Sequence, residues 1–157
     1  MKKVISIAFC IAMLALSASC AGGSAKEVDL QKVMTEITAS VTLPTNDMMT
    51  LTDVSKLMDY YGISADDVES FAVQMNSSGV EQDEIVMIKG KDSAAAERIR
   101  EALQRRLDSK ANQMKNYLPE QYDIIEDCEV DVEGNYVTLF ISEFDDEMDN
   151  IFESHLK

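Results

Sequence analysis

The chain has 157 residues, of which 29 are acidic and 14 are basic, and its net charge is −15 at pH 7. Such a surface repels phosphate backbones and anionic lipid head groups, which argues against nucleic-acid binding and excludes charge-driven attachment to a membrane. A solvated acidic surface is the simplest explanation of this charge, and binding of cationic partners or divalent ions is the alternative.

The first residues have the pattern of a bacterial export signal. Lys2 and Lys3 precede an apolar stretch over residues 4–16, and small residues follow it. This stretch is too short to span a bilayer comfortably as a mature helix, which favours a signal peptide over residues 1–19. The protein is therefore expected to leave the cytoplasm.

The small residues before Cys20 resemble a lipobox, in which this cysteine receives diacylglycerol and becomes the new N-terminus. Ser17 stands where an aliphatic residue is usual, so ordinary secretion with cleavage near Ala18 or Ser19 is the alternative. Residues 20–26 are predicted to be the lipidated cysteine and a flexible tether, because small residues dominate them. Two acyl chains give stable attachment to a membrane. Because the protein is also expected to be exported, we predict that it lies at the outer face of the cell membrane.

Residues 27–157 are predicted to form one domain, since a mature chain of about 137 residues can bury its own core. Cys10 is lost with the signal and Cys20 is lipidated, which leaves Cys128 alone in the domain. Neither an internal disulfide nor a paired-cysteine zinc site is therefore predicted. Cys128 alternates with valines, which indicates a buried apolar side chain rather than a reactive thiol.

The region from residue 26 to about 61 is predicted to be helical. Apolar residues recur at spacings of two to four over residues 28–41, as on an amphipathic helix. A second helix is predicted to begin at Thr52 or Asp53 and to run to Tyr61, because Gly62 then stops it.

The remaining chain alternates between strand and helix patterns. Two strands precede a long helix, which Pro119 is expected to end, and two strands joined by a tight Gly134-Asn135 turn follow it. An acidic helix is predicted for the tail, from Glu143 to Lys157. The predicted fold is α+β, with an antiparallel sheet in ββαββ order, one long helix packed on it, and two N-terminal helices. The predicted strands and long helix are Asp66–Met75, Glu84–Lys91, Ser93–Leu118, Ile124–Val132 and Asn135–Ser142.

The long helix carries many of the basic residues. We expect them to form a solvated face paired with acids of the same helix, and a docking face for an anionic partner or wall polymer is the alternative. The basic residues are Arg98, Arg105, Arg106, Lys110 and Lys115, and the acids are Glu97, Glu101 and Asp108.

No metal site or cofactor is predicted. Residues 129–134 mimic the opening of a calcium loop, with acids at alternate positions and a glycine sixth. The twelfth position is Phe140, where such a loop requires a bidentate Glu, so strand alternation explains these acids better.

Several segments together suggest a resemblance to a known family. The segments are Glu84–Lys89, Lys91-Asp92, Tyr117–Gln121, Gly134–Val137 and Ile141-Ser142. They resemble the family catalogued as domain of unknown function 4358. The resemblance covers about residues 28–143 and implies a small exported bacterial protein, often a lipoprotein, with no activity that can be carried over.

Catalysis is not predicted. His155 is the only histidine and lies near the chain end, which is a poor place for a general base. The alternative is a secreted hydrolase with a carboxylate pair such as Glu84 and Glu120. Convergence of Glu84, Glu120 and Glu143 in a cleft would favour this alternative, and their scatter over the surface would exclude it.

The predicted function is that of a monomeric, non-catalytic envelope module that binds a protein or cell-wall component. Cys20 is the predicted lipidation site. Seven residues are candidates for a recognition surface, although roles in ending a helix and forming a turn are the alternative explanation. These residues are Tyr117, Pro119, Glu120, Gln121, Gly134, Asn135 and Tyr136.

Overall fold

The computed structural model of the chain describes residues 27–44 and 47–157. The predicted signal peptide, Cys20 and the tether lie outside the described residues. Among the described residues, no helix is both long and apolar enough to cross a membrane.

Five strands in the described residues form one antiparallel sheet. The strands are β1 (Met48–Leu51), β2 (Val68–Asn76), β3 (Glu84–Gly90), β4 (Val130–Glu133) and β5 (Tyr136–Ile141). They lie in the order β1-β2-β3-β5-β4. The central strand β3 is buried on both faces, because the four consecutive residues from Ile85 to Ile88 are all apolar.

Helices cover both faces of the sheet, so the domain has three layers. Successive β3 side chains point to opposite faces, with Val86 and Ile88 in one core and Ile85 and Met87 in the other. The first core is closed by α2 (Lys56–Tyr61), α3 (Ser93–Met114) and α4 (Pro119–Asp127), and the second by α1 (Leu30–Ser40) and α5 (Asp145–Leu156).

The junction between β3 and α3 is tight. The Asp92 side chain caps the helix, since its Oδ1 accepts a 2.7 Å hydrogen bond from the Ala95 N–H. Gly90 lies against the first turn of α3, where a Cβ would stand 2.7 Å from the backbone nitrogen of Ala96. Only a residue without a side chain allows this approach.

The structure confirms the α+β class, the antiparallel sheet and the long helix. The predicted hairpin is present, and Gly134 has the positive φ, 62°, that its turn requires. The acidic tail forms α5. Cys128 is buried, as its alternation with valines indicated.

The predicted ββαββ order was wrong in two respects. β1 is an additional strand that separates the two N-terminal helices, and these helices lie on opposite faces of the sheet. Helix α4 occupies residues where a strand was predicted to begin at Ile124. Pro119 begins this helix rather than ending α3, because the first helical position needs no N–H partner.

Candidate binding site

The predicted recognition residues lie at two ends of the sheet. The Oε1 of Gln121 accepts a 2.9 Å hydrogen bond from the Gln82 N–H, just before β3 begins. The Asn135 carbonyl accepts a 2.8 Å bond from the N–H of Gly90, where β3 ends. About 20 Å of strand separates these positions, so the seven residues do not form one surface.

The residues at the first end include exposed side chains. Tyr117 is 66% exposed, and Glu120 lies on the surface in the first turn of α4. At the other end, the side chain of Tyr136 is buried, and its hydroxyl accepts a 2.9 Å hydrogen bond from the Val28 N–H. Tyr136 thus ties the start of the described chain to the sheet.

A buried ion cluster joins α3 to the first residue of β3. Glu84 is fully buried, and its Oε2 lies 2.6 Å from the Nζ of Lys110 and 3.1 Å from the Nη2 of Arg106. Lys110 also donates a 3.0 Å hydrogen bond to the Gln82 carbonyl. The guanidinium of Arg106 lies over the ring of Tyr61, 5.5 Å from its centre.

The charges of this cluster depend on one another. Burial alone raises the pKa of Glu84, but the attraction of Lys110 and Arg106 outweighs burial and lowers that pKa below its ordinary value. Burial lowers the pKa of Lys110, and the attraction of Glu84 offsets only part of this effect. Burial and the nearby carboxylate of Glu84 raise the pKa of Tyr61, so its hydroxyl stays protonated.

Lys110 and Arg106 line a cavity of about 430 Å³ that we call the Lys110 pocket. Its size lies within the range of small-molecule sites. The loop after β2, the end of α2 and the second half of α3 surround it. The lining residues are Met49, Tyr60, Met75, Asn76, Ser77, Gly79, Gln82, Arg106, Lys110, Gln113 and Met114.

The wall of the Lys110 pocket contains an unsatisfied donor. Asn76 is 7% exposed, and its Oδ1 accepts a 2.8 Å hydrogen bond from the Ser78 N–H, which fixes the orientation of the amide. Its buried Nδ2 has no hydrogen-bond partner in the described part of the chain. Because a buried donor without a partner costs about 1–3 kcal/mol, this group points to a ligand or an ordered water.

A second cavity is acidic. It measures about 210 Å³ and is lined by Asp131 and Asp149 with the neighbouring glutamates 129, 133 and 153. Burial, followed by repulsion from Asp131, raises the pKa of Asp149 to about 7. No group of three or more potential ligands among the described residues is arranged to hold a metal ion.

The three glutamates of the hydrolase alternative have different surroundings. Glu84 is buried and paired with two cations, whereas Glu120 and Glu143 are exposed. His155 lies on α5 and its Nε2 is 2.9 Å from the Oε2 of Glu36 on α1. These groups therefore do not share the Lys110 pocket.

Sequence reasoning did not predict the Lys110 pocket, although it noted the basic residues of α3. The expected solvated face is present in part, because Arg100 pairs with Glu97 and Arg105 lies 4.0 Å from Glu101. Arg106 and Lys110 instead face the buried Glu84. The detectable signal was a glutamate directly before four consecutive apolar residues of the central strand, since a buried acid needs a cationic partner.

The fold and the pocket define a small three-layer α+β domain with one buried ion cluster at a ligand-sized cavity. The chain belongs to the family described as Domain of unknown function (DUF4358), whose model matches residues 42–142. The matched segment contains the whole sheet and every residue of the Lys110 pocket. Neither the curated proteins nor the solved structures gave a significant match.

Proposed function

We propose that this protein is a non-catalytic binding protein, held at the outer face of the cell membrane by a lipid on Cys20, and that it binds its ligand in the Lys110 pocket. The tether is supported by the basic residues, apolar stretch and small residues that precede Cys20. The ligand is a component of the cell envelope, either a protein or a wall component, and the protein acts as a monomer without a cofactor.

The observation that carries the binding function is the buried, unpartnered Nδ2 of Asn76 in the wall of a cavity that two buried or half-buried cations also line. Ligand sites are usually cavities of this size that are lined by apolar side chains and a few fixed polar groups. The cations are held by Glu84, so they occupy fixed positions. Fixed donors lower the entropy lost when a ligand binds.

The environment of the cluster favours binding over proton transfer. The carboxylate of Glu84 has no solvent access, and both of its oxygens already accept hydrogen bonds or ion pairs from α3. Its lowered pKa holds it ionised, and a general acid needs a raised one. This carboxylate therefore supports a structural role beneath the pocket.

The location is tested by fractionating the producing cells and measuring the intact mass of the protein. We expect a membrane-bound chain that begins at Cys20 and carries a lipid. The Cys20→Ala variant should be released or left unprocessed, whereas Cys128→Ala, the matched control, should stay in the membrane fraction. An unmodified chain in the medium would refute the tether.

A further inference from the structure

We infer that the Lys110 pocket binds a carboxylate that is attached to a flexible apolar group. This inference rests on the proposed function, because it assigns a ligand class to the same pocket. It is carried by the free hydrogen-bond donors around the ion cluster and by the position of three methionines.

Around the ion cluster, the wall of the pocket keeps free hydrogen-bond donors while the nearby acceptors are occupied. The Oδ1 of Asn76 and the carbonyl of Gln82 are occupied by the Ser78 N–H and by Lys110. The carboxylate of Glu84 is occupied by Lys110 and Arg106. Around the ion cluster, three groups of the described residues keep unused N–H donors, namely the Nδ2 of Asn76, the Nη1 of Arg106 and the Nζ of Lys110. A ligand that satisfies them must present acceptors.

The charge of the cluster disfavours a dianion. Arg106 and Lys110 carry two positive charges against the single negative charge of Glu84. The carboxylate of Asp83 lies close enough to attract Lys110 and offsets part of the remaining positive charge, although burial raises the pKa of Asp83. A dianionic phosphate would exceed the positive charge that is left, whereas a carboxylate brings only one negative charge. The Nη1 of Arg106, which Glu84 leaves free, can donate a charge-assisted hydrogen bond to such a carboxylate.

The rest of the wall accepts an apolar group. Met49, Met75 and Met114 line the cavity together with Tyr60, which is 39% exposed. Methionine adapts to irregular shapes because its side chain is unbranched and flexible. The Nδ2 of Asn76 is covered in the structure, so a ligand reaches it by displacing part of this wall. An adaptable methionine wall permits that displacement.

Calorimetric titration of the full mature protein tests the inference with three probes. N-acetylmethionine joins a carboxylate to a flexible apolar side chain. In N-acetylmethioninamide an uncharged amide replaces that carboxylate. Inorganic phosphate is the third probe and offers charge without an apolar group. We expect N-acetylmethionine to bind at least tenfold more tightly than either of the others.

Two variants place the binding in the Lys110 pocket. Asn76→Asp keeps the acceptor for the Ser78 N–H, removes the free donor and adds a negative charge, so we expect at least a tenfold loss. Gln113→Glu adds the same charge on an exposed pocket residue and should also weaken binding, which keeps the test valid if the first variant does not fold. Asn150→Asp, on α5 behind the sheet, is the matched control and should bind normally.

Several results would overturn the inference. Equal binding of the amide would show that charge is not recognised, and tighter binding of phosphate would show that the site takes a different anion. In both cases, if Asn76→Asp weakens the observed binding, the binding function of the pocket stands and only the ligand class is refuted. Carboxylate binding that Asn76→Asp and Gln113→Glu leave unchanged would place the site elsewhere. Absence of binding to all three probes would refute the ligand class, while fractionation decides the tether independently.

Discussion

The Nζ of Lys110 lies 2.6 Å from the Oε2 of Glu84, and both side chains are almost completely shielded from water. Lys110 is in the last third of α3, and Glu84 is the first residue of β3. The pair therefore fixes the position of the helix on the sheet at the end where the Lys110 pocket opens. Because each buried charge is stabilised by the other, removal of either one alone leaves an uncompensated buried charge and lowers the free energy of unfolding.

Replacement of Glu84 by Gln should destabilise the protein strongly. The amide keeps the shape of the side chain but leaves Lys110 and Arg106 without a counter-charge, which costs about 3–5 kcal/mol of unfolding free energy. Urea denaturation measures this loss. Glu101→Gln, which removes an exposed partner 4.0 Å from Arg105, should cost less than about 0.5 kcal/mol. Similar unfolding midpoints for the two variants would show that the buried pair does not stabilise the fold.

Asp149→Asn should stabilise the protein in alkaline solution. Burial and the nearby Asp131 raise the pKa of Asp149 from 3.8 to about 7, so the folded state binds more protons than the unfolded chain between these values. Stability therefore falls as the pH rises through this interval, and the full penalty is present above pH 7. Partial exposure limits the gain to about 1–2 kcal/mol.

Thermal unfolding at pH 4 and pH 8 measures the effect of Asp149→Asn. The variant should gain stability over the natural protein at pH 8 and differ little from it at pH 4. Glu147→Gln, an exposed acid on the same helix, is the matched control and should show no such pH dependence. A gain at pH 8 that is equal for both variants would reflect net charge rather than the environment of Asp149.

Gly90→Ala should destabilise the fold by about 2 kcal/mol, because the new Cβ would stand 2.7 Å from the backbone nitrogen of Ala96. The change moves α3 relative to β3. Gly79→Ala is the comparison, since its Cβ meets no atom within 4 Å and only its positive φ of 76° opposes the substitution. We expect Gly79→Ala to lower the free energy of unfolding by about 1 kcal/mol. Equal unfolding midpoints in urea would contradict the close approach.

The thiol of Cys128 should be unreactive in the folded protein. Burial raises its pKa to about 11, so little thiolate is present at pH 8. In a chain that starts at residue 21, Cys128 is the only cysteine. A coloured disulfide reagent should react slowly with this chain in buffer and rapidly in concentrated guanidinium. Rapid reaction in buffer would show that the thiol is accessible.

The sequence predicted the elements with strong local patterns. The long helix α3 has an apolar stripe and an Asp92 cap, and the final hairpin has a glycine at a turn that needs positive φ. Local patterns failed at residues 119–127, because two adjacent isoleucines fit a strand and a helix equally well. The short strand β1 carries too few residues to show alternation and is defined by its pairing with β2.

The Lys110 pocket could not be predicted from one sequence. Lys110 and Glu84 are 26 residues apart, and nothing local shows that α3 crosses the sheet where β3 begins. Asn76 has the features of an ordinary turn residue, and its Oδ1 indeed accepts from the Ser78 N–H. Its unused donor becomes evident only when the cavity around it is known.

The most direct test of the Lys110 pocket is the side-chain amide signal of Asn76 in a nitrogen-15 correlation spectrum, assigned by its loss in the Asn76→Asp variant. We predict that addition of N-acetylmethionine shifts this pair of signals in a saturable manner. Unchanged Asn76 signals, whether or not signals elsewhere in the protein move, would contradict the assignment of the pocket as the binding site.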